Sequence, residues 1–144
     1  MNAVSIDIKD RLVAAGVGTF ANTASTTWGI FVGEEQEKLK RTITLFDTGG
    51  FQPDLTLNTT RAMEHPTYQI RVRANTYQEG HDKIEDCVKA LERQGAFDGT
   101  VDSTENSVRY SDTWRTSGIL FLKKMEGSYV WTVNMIAHRQ ERTY

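Results

Sequence analysis

The sequence has one cysteine in 144 residues, Cys87, so no internal disulfide forms and nothing in it argues for secretion. No stretch approaches the ~20 consecutive apolar residues that a membrane-spanning helix needs. The first ten residues, Met-Asn-Ala-Val-Ser-Ile-Asp-Ile-Lys-Asp, lack the basic flank and apolar run of a signal peptide. The expectation is a chain made and kept in the cytoplasm, or released from it by lysis, with no membrane partner. A basic block is missing too: 17 Lys and Arg face 19 Asp and Glu, for a net charge of −2. Proteins that grip a nucleic-acid backbone usually carry a positive stripe, so that role starts at a disadvantage. His65, His81 and His138 are scattered without the paired spacing of a zinc site, and no metal is expected. Gly49-Gly50 lacks the lysine and serine of a phosphate cradle, no nucleophile elbow occurs, and no cofactor is expected.

What is present suffices for a real core. With 38% hydrophobic and 25% charged residues the chain reads as globular, and its length suits one domain over 1–144. The organising stretch is 66–94. Tyr68, Ile70, Val72 and Ala74 alternate with Gln69, Arg71 and Arg73, the period of two that marks a strand with one buried face. The period then changes. Ile84, Cys87, Val88 and Leu91 fall at i, i+3, i+4 and i+7, the apolar stripe of a helix. Thr76, with Glu79 three residues later, gives the capping-box signature at the switch. Within that stripe Cys87 reads as a small buried hydrophobe, not a nucleophile.

Residues 2–15 predict a first helix with Val4, Ile8, Leu12 and Ala15 on one face, ended by Gly16 in a left-handed conformation. Residues 28–32 and 41–47 read as short strands, 33–40 as a charged turn, and 18–27 as a loop. Residues 48–65 have no periodicity and read as a long loop, which in a compact domain usually means function or disorder. The segment 95–117 reads as irregular, with one short strand at most. Residues 118–122 and 129–137 predict hairpin strands joined through Gly127. Taken from 128 to 138, the last strand spans ~37 Å at ~3.4 Å per residue. A domain of this length has a radius of gyration of ~14 Å, so the strand crosses the whole molecule. Long antiparallel edges invite pairing with another chain, and oligomerisation is expected.

The sharpest short motif is Asp47-Thr48-Gly49 after an apolar strand, the catalytic triplet of aspartic proteases, where two such aspartates share one proton. A single copy would imply an aspartic-protease-like homodimer. Against it, that family is almost wholly β, and Gly50-Phe51-Gln52-Pro53-Asp54 does not continue its motif. The favoured reading is a turn in which Asp47 accepts local backbone N–H bonds and the glycines supply positive φ. The chain is read as a non-enzyme. Arg71 and Arg73 project from the polar side of their strand, with a solvated face as the default.

Four features together resemble a known family: Leu45-Phe46-Asp47-Thr48-Gly49-Gly50 with Pro53-Asp54 shortly after, the strand Pro66-Thr67-Tyr68-Gln69-Ile70-Arg71-Val72-Arg73, the helix from Thr76, and the apolar-aromatic last strand over 129–138. Over about residues 2–140 the pattern looks like the small tail-completion proteins of long-tailed bacteriophages, often labelled minor capsid proteins and similar to tail terminators. The resemblance implies an α+β subunit: a mixed, mainly antiparallel β-sheet with two α-helices packed on one face, to which the sequence adds a long C-terminal β-hairpin. It implies a hexameric ring that caps the tail tube, ends its polymerisation and offers a head-joining surface. The implied partners are the major tail tube protein and head–tail connector or neck proteins, with DNA passing the bore without specific binding. The implied place is the head-proximal end of the virion tail, after assembly in the host cytoplasm. A neck connector of the same fold is the alternative. On this reading Arg71 and Arg73 pair with Glu34, Glu35 or Glu37 of the next subunit. Phe51 and Trp114, aromatics in polar segments, become candidate interface anchors.

Overall fold

The computed structural model describes residues 3–21, 27–36, 38–54, 63–99 and 106–143. Helix α1 (Val4–Ala14) buries Val4, Ile8 and Leu12, the stripe its sequence predicts, and Gly16 follows it at φ 76°. Helix α2 (Tyr77–Leu91) buries Ile84, Cys87, Val88 and Leu91. Its N-terminus is capped as expected: the Thr76 hydroxyl accepts the Glu79 backbone N–H at 3.2 Å. The Glu79 carboxylate turns instead to Arg41, whose Nε donates to it at 2.6 Å, tying the helix start to the sheet.

Among the described residues eight strands form one sheet: β1 (Thr19–Phe20), β2 (Gly29–Val32), β3 (Thr42–Asp54), β4 (Met63–Ala74), β5 (Phe97–Asp98), β6 (Asn106–Arg115), β7 (Leu120–Met125) and β8 (Ser128–Thr143). The order is β1-β2-β3-β4-β8-β6-β5, with β7 pairing only β8. The β1–β2 and β2–β3 pairs are parallel and the others antiparallel. Strand β8 therefore lies in the middle. One of its edges takes β4, and the other takes β6 and then β7 end to end.

Alternation along these strands separates two faces. Ile43, Leu45, Tyr68, Ile70, Val72, Trp131, Val133 and Met135 join α1 and α2 in one buried cluster, so both helices cover the same face. Full burial of each such side chain contributes ~1.5–3 kcal/mol, which makes this layer the main source of stability. A buried hydroxyl pair sits inside it: Thr113 donates to the Ile136 carbonyl at 2.7 Å, leaving its oxygen to accept the Tyr68 hydroxyl at 2.7 Å.

Four expectations need correction. The expected 48–65 loop is strand at both ends: β3 continues to Asp54 through a register shift between Asp47 and Gly49, β4 begins at Met63, and 55–62 lie outside the described residues. Gly49 and Gly50 carry φ of 97° and 137°, and a Cβ on Gly50 would lie 2.5 Å from the His65 carbonyl oxygen. Glycine lets the strand pass where side-chain periodicity is lost. The segment 95–117 holds two strands, not one at most. Its pattern is broken by a second shift between Tyr110 and Asp112. The hairpin is also longer than the apolar run suggests, since β8 carries on through polar residues to Thr143. Of the expected 18–27 loop, Thr19–Phe20 is a strand and 22–26 lie outside the described residues.

Candidate assembly surface

The sheet face away from the helices carries a polar row across β4 and β8. Arg71 donates through Nη2 to Gln69 Oε1 at 3.2 Å, and Gln69 Nε2 donates to Asn134 Oδ1 at 3.2 Å. Arg71 also reaches Glu35 in the β2–β3 connection at 3.3 Å, while its guanidinium lies over the Phe46 ring at 5.3 Å. Arg73 Nε lies 3.4 Å from the same carboxylate. Glu35 thus holds two arginines of its own chain. Arg73 is only 1% exposed, so its charge is spent inside the subunit and does not line a solvated face. Glu34, exposed beside this cluster, helps line an open groove of about 660 Å³ with Lys38, Phe46 and Arg71. Glu37 lies outside the described residues.

The two aromatic candidates separate. Trp114 belongs to β6, is half-buried, and rests on His138 with ring centroids 4.5 Å apart; His138 in turn meets His65 at 4.4 Å. It folds back on its own chain. Phe51, on the far part of β3, stands 67% exposed.

A patch that the sequence reading missed lies at the opposite end, where β7 meets the start of α2. Leu120, Phe121 and Leu122 are 51%, 41% and 45% exposed. Phe121 packs edge-on to Trp131 at 5.3 Å and beside Tyr77 at 5.0 Å, and Tyr77 meets Trp131 at 4.7 Å. The Trp131 indole N–H donates to the Tyr77 carbonyl at 3.1 Å, and Lys124 lies over the Tyr129 ring. Three consecutive large apolar residues on an edge strand are a signal for contact with another surface. That run was legible as Ile119-Leu120-Phe121-Leu122, but a hairpin strand with one buried face explained it equally well.

Asp47, the aspartate of the protease-like triplet, is engaged. Its Oδ1 accepts the Ser5 backbone N–H at 3.0 Å and its Oδ2 accepts the Ser5 hydroxyl at 2.6 Å. Ala3, at the N-cap position of α1, supplies no capping side chain, so Asp47 does that work from the neighbouring strand. A second anchor fixes α1 to β6: the Tyr110 hydroxyl donates to Asp7 Oδ2 at 2.6 Å. Arg139 donates through Nη1 to that hydroxyl at 3.2 Å and through Nε to Glu64 at 2.9 Å. Burial and the Asp7 carboxylate both push the Tyr110 hydroxyl well above its ordinary range. Burial opposes the Arg139 charge, but its bonds to Tyr110 and Glu64 outweigh that and hold its pKa above the usual value. These are structural ties. His81, Asp82 and Glu85 do come together on α2, their ligand atoms within 4.8 Å of one another. Exposed acidic helix faces commonly look so, and nothing further marks a metal site there.

A family model described as bacteriophage tail terminator protein matches residues 11–141. No curated protein matches the sequence. Among solved structures, a chain from the virion of a native gene transfer agent particle shares the fold, with a TM-score of 0.59 at 13% identity. The match covers 96% of this chain and 95% of that one.

Proposed function

Because the chain belongs to the bacteriophage tail terminator family, we propose that it closes the head-proximal end of the tail tube as a hexameric ring. Membership makes it a structural protein of the phage tail, in a family that is not a class of enzymes, working in assembly with other tail or head proteins. Beyond that, the ring stops tube polymerisation and offers a surface to the connector on the head side. The observation that carries this reading is the exposed apolar edge at Leu120, Phe121 and Leu122. A terminator must bind its own copies and a tube end, and such an edge gives the isolated chain a reason to do so. A net charge of −2 fits a bore that passes DNA without holding it.

The test is assembly of the cognate tube protein with and without this chain, followed by negative-stain imaging of tube lengths. Tubes of limited length bearing a ring at one end are expected. Tubes that grow equally long in its presence, with no ring attached, overturn the proposal. A chain that binds isolated head connectors and ignores tube ends overturns it in favour of a place in the neck.

A further inference from the structure

Among the described residues the sheet leaves several stretches of strand edge unpaired, and two of them, on β7 and on β3, lie at opposite corners. Among the described residues β7 pairs only with β8, and β2 pairs with β3 only as far as Leu45, leaving the outer edge of β3 open from Phe46 onward. Phe51 pairs with His65, which lies at about the level of His138, seven residues along β8 from Trp131, the partner of Phe121. The two corners are therefore ~24 Å apart along the strands and ~14 Å across them, too far to meet within one subunit.

Their chemistry is complementary. Strand β7 reads Leu-Phe-Leu-Lys-Lys-Met, with two positive charges and no acid. The open part of β3 reads Phe-Asp-Thr-Gly-Gly-Phe-Gln-Pro-Asp, with no base and two acids in sequence, of which Asp47 also caps α1 through Ser5. Each offers exposed apolar surface, Leu120 to Leu122 on one and Phe51 on the other. On β3 the added Cβ at Gly49 would meet nothing within 4 Å, so bare backbone lies open to a bulky neighbour. Isologous pairing of β7 with a second β7 would bring four lysines together, and like charges directly opposed destabilise a strand pair.

We infer that the β7 corner of one subunit docks on the open outer stretch of β3, around Phe51, of the next copy of this chain. The contact is heterologous: each subunit gives one corner and receives the other, so repetition leads round an axis to a ring. This rests on the ring reading above and adds which surfaces close it. It replaces the Arg71 and Arg73 contacts expected from sequence, since both arginines are held by Glu35 of their own chain.

Two cysteines report the contact, because native Cys87 is fully buried. The doubly substituted chain, Phe51→Cys with Leu122→Cys, is treated with a short bismaleimide under conditions where the wild type forms rings. A ladder of covalent oligomers up to the ring size is expected, with the two single variants giving mainly uncrosslinked chain. Dimers from Leu122→Cys alone overturn the inference in favour of an isologous contact. Rings that form but do not crosslink place the interface elsewhere and also overturn it. As an independent arm, Lys123→Glu with Lys124→Glu is expected to raise the concentration for half-assembly at least tenfold while leaving circular dichroism unchanged. Unaltered assembly of that variant sinks the charge complementarity. A wild type that forms no ring even on tube ends counts against the proposed function, a result separable from every outcome above.

Discussion

At the scale of single residues, the triplet around Asp47 shows how one motif supports two chemistries until its partners are seen. Both oxygens of Asp47 serve Ser5, and the glycines behind it serve the backbone. The turn-forming reading anticipated the type of bond, an aspartate accepting backbone N–H. It missed the distance, because the acceptor reaches a helix forty-two positions away in sequence. The two glycines make unequal demands. Gly50→Ala must place a Cβ against backbone atoms at 2.5 and 2.7 Å in a positive-φ conformation. A loss of ~2–4 kcal/mol is expected from overpacking and backbone strain together. Gly49→Ala meets no atoms and bears only the conformational strain, so urea titration should rank it clearly above Gly50→Ala. Equal midpoints would contradict the close approach. Cys87 gives a pH signature. Burial pushes its thiol up from 9.0 to about 12. Below pH 9 both states keep the proton; above it the unfolded chain ionises first, so stability is lost as pH rises through that window. Tyr68, raised by burial from 10.0, adds in the same direction. The unfolding free energy from denaturant titration should fall from pH 9 upward, and more steeply from pH 10, by up to ~1.4 kcal/mol per pH unit for each group.

At the scale of elements, legibility followed periodicity. Helix α2 was readable to its cap because four apolar positions and Thr76 agree, and Thr76→Ala should cost about 1 kcal/mol by thermal denaturation. The heart of β4 was readable for the same reason. Strand β6 was not. A register shift after Tyr110 moves its inward positions out of step, and its other face carries Trp114 against His138. A reader of sequence sees no alternation there. The Arg71–Arg73 pair misled in a related way. Alternation placed both on the polar side correctly, but polar did not mean solvated, since the Glu35 connection folds over Arg73. The β7 corner failed for a further reason: its apolar residues look like core in sequence, and only the pairing pattern shows them uncovered.

For the whole molecule, the helices form one layer and the sheet a second, with its opposite face carrying the polar row and its corners left open. If those corners close a ring, folding and assembly are thermodynamically linked. The melting temperature should then rise with protein concentration, as differential scanning fluorimetry over a hundredfold dilution series would show. A melting temperature independent of concentration would mean that the isolated subunit is already as stable as the assembled one.

The central place of β8 also has a consequence in time. It follows every other strand in chain order, yet β4 on one side and β6 and β7 on the other reach each other only through it. Without β8 the remaining strands fall into three pieces: β1 to β4, β5 with β6, and β7 alone. Joining them takes pairings such as Met63 with Gln140, far apart in sequence, and contacts of that kind make folding slow.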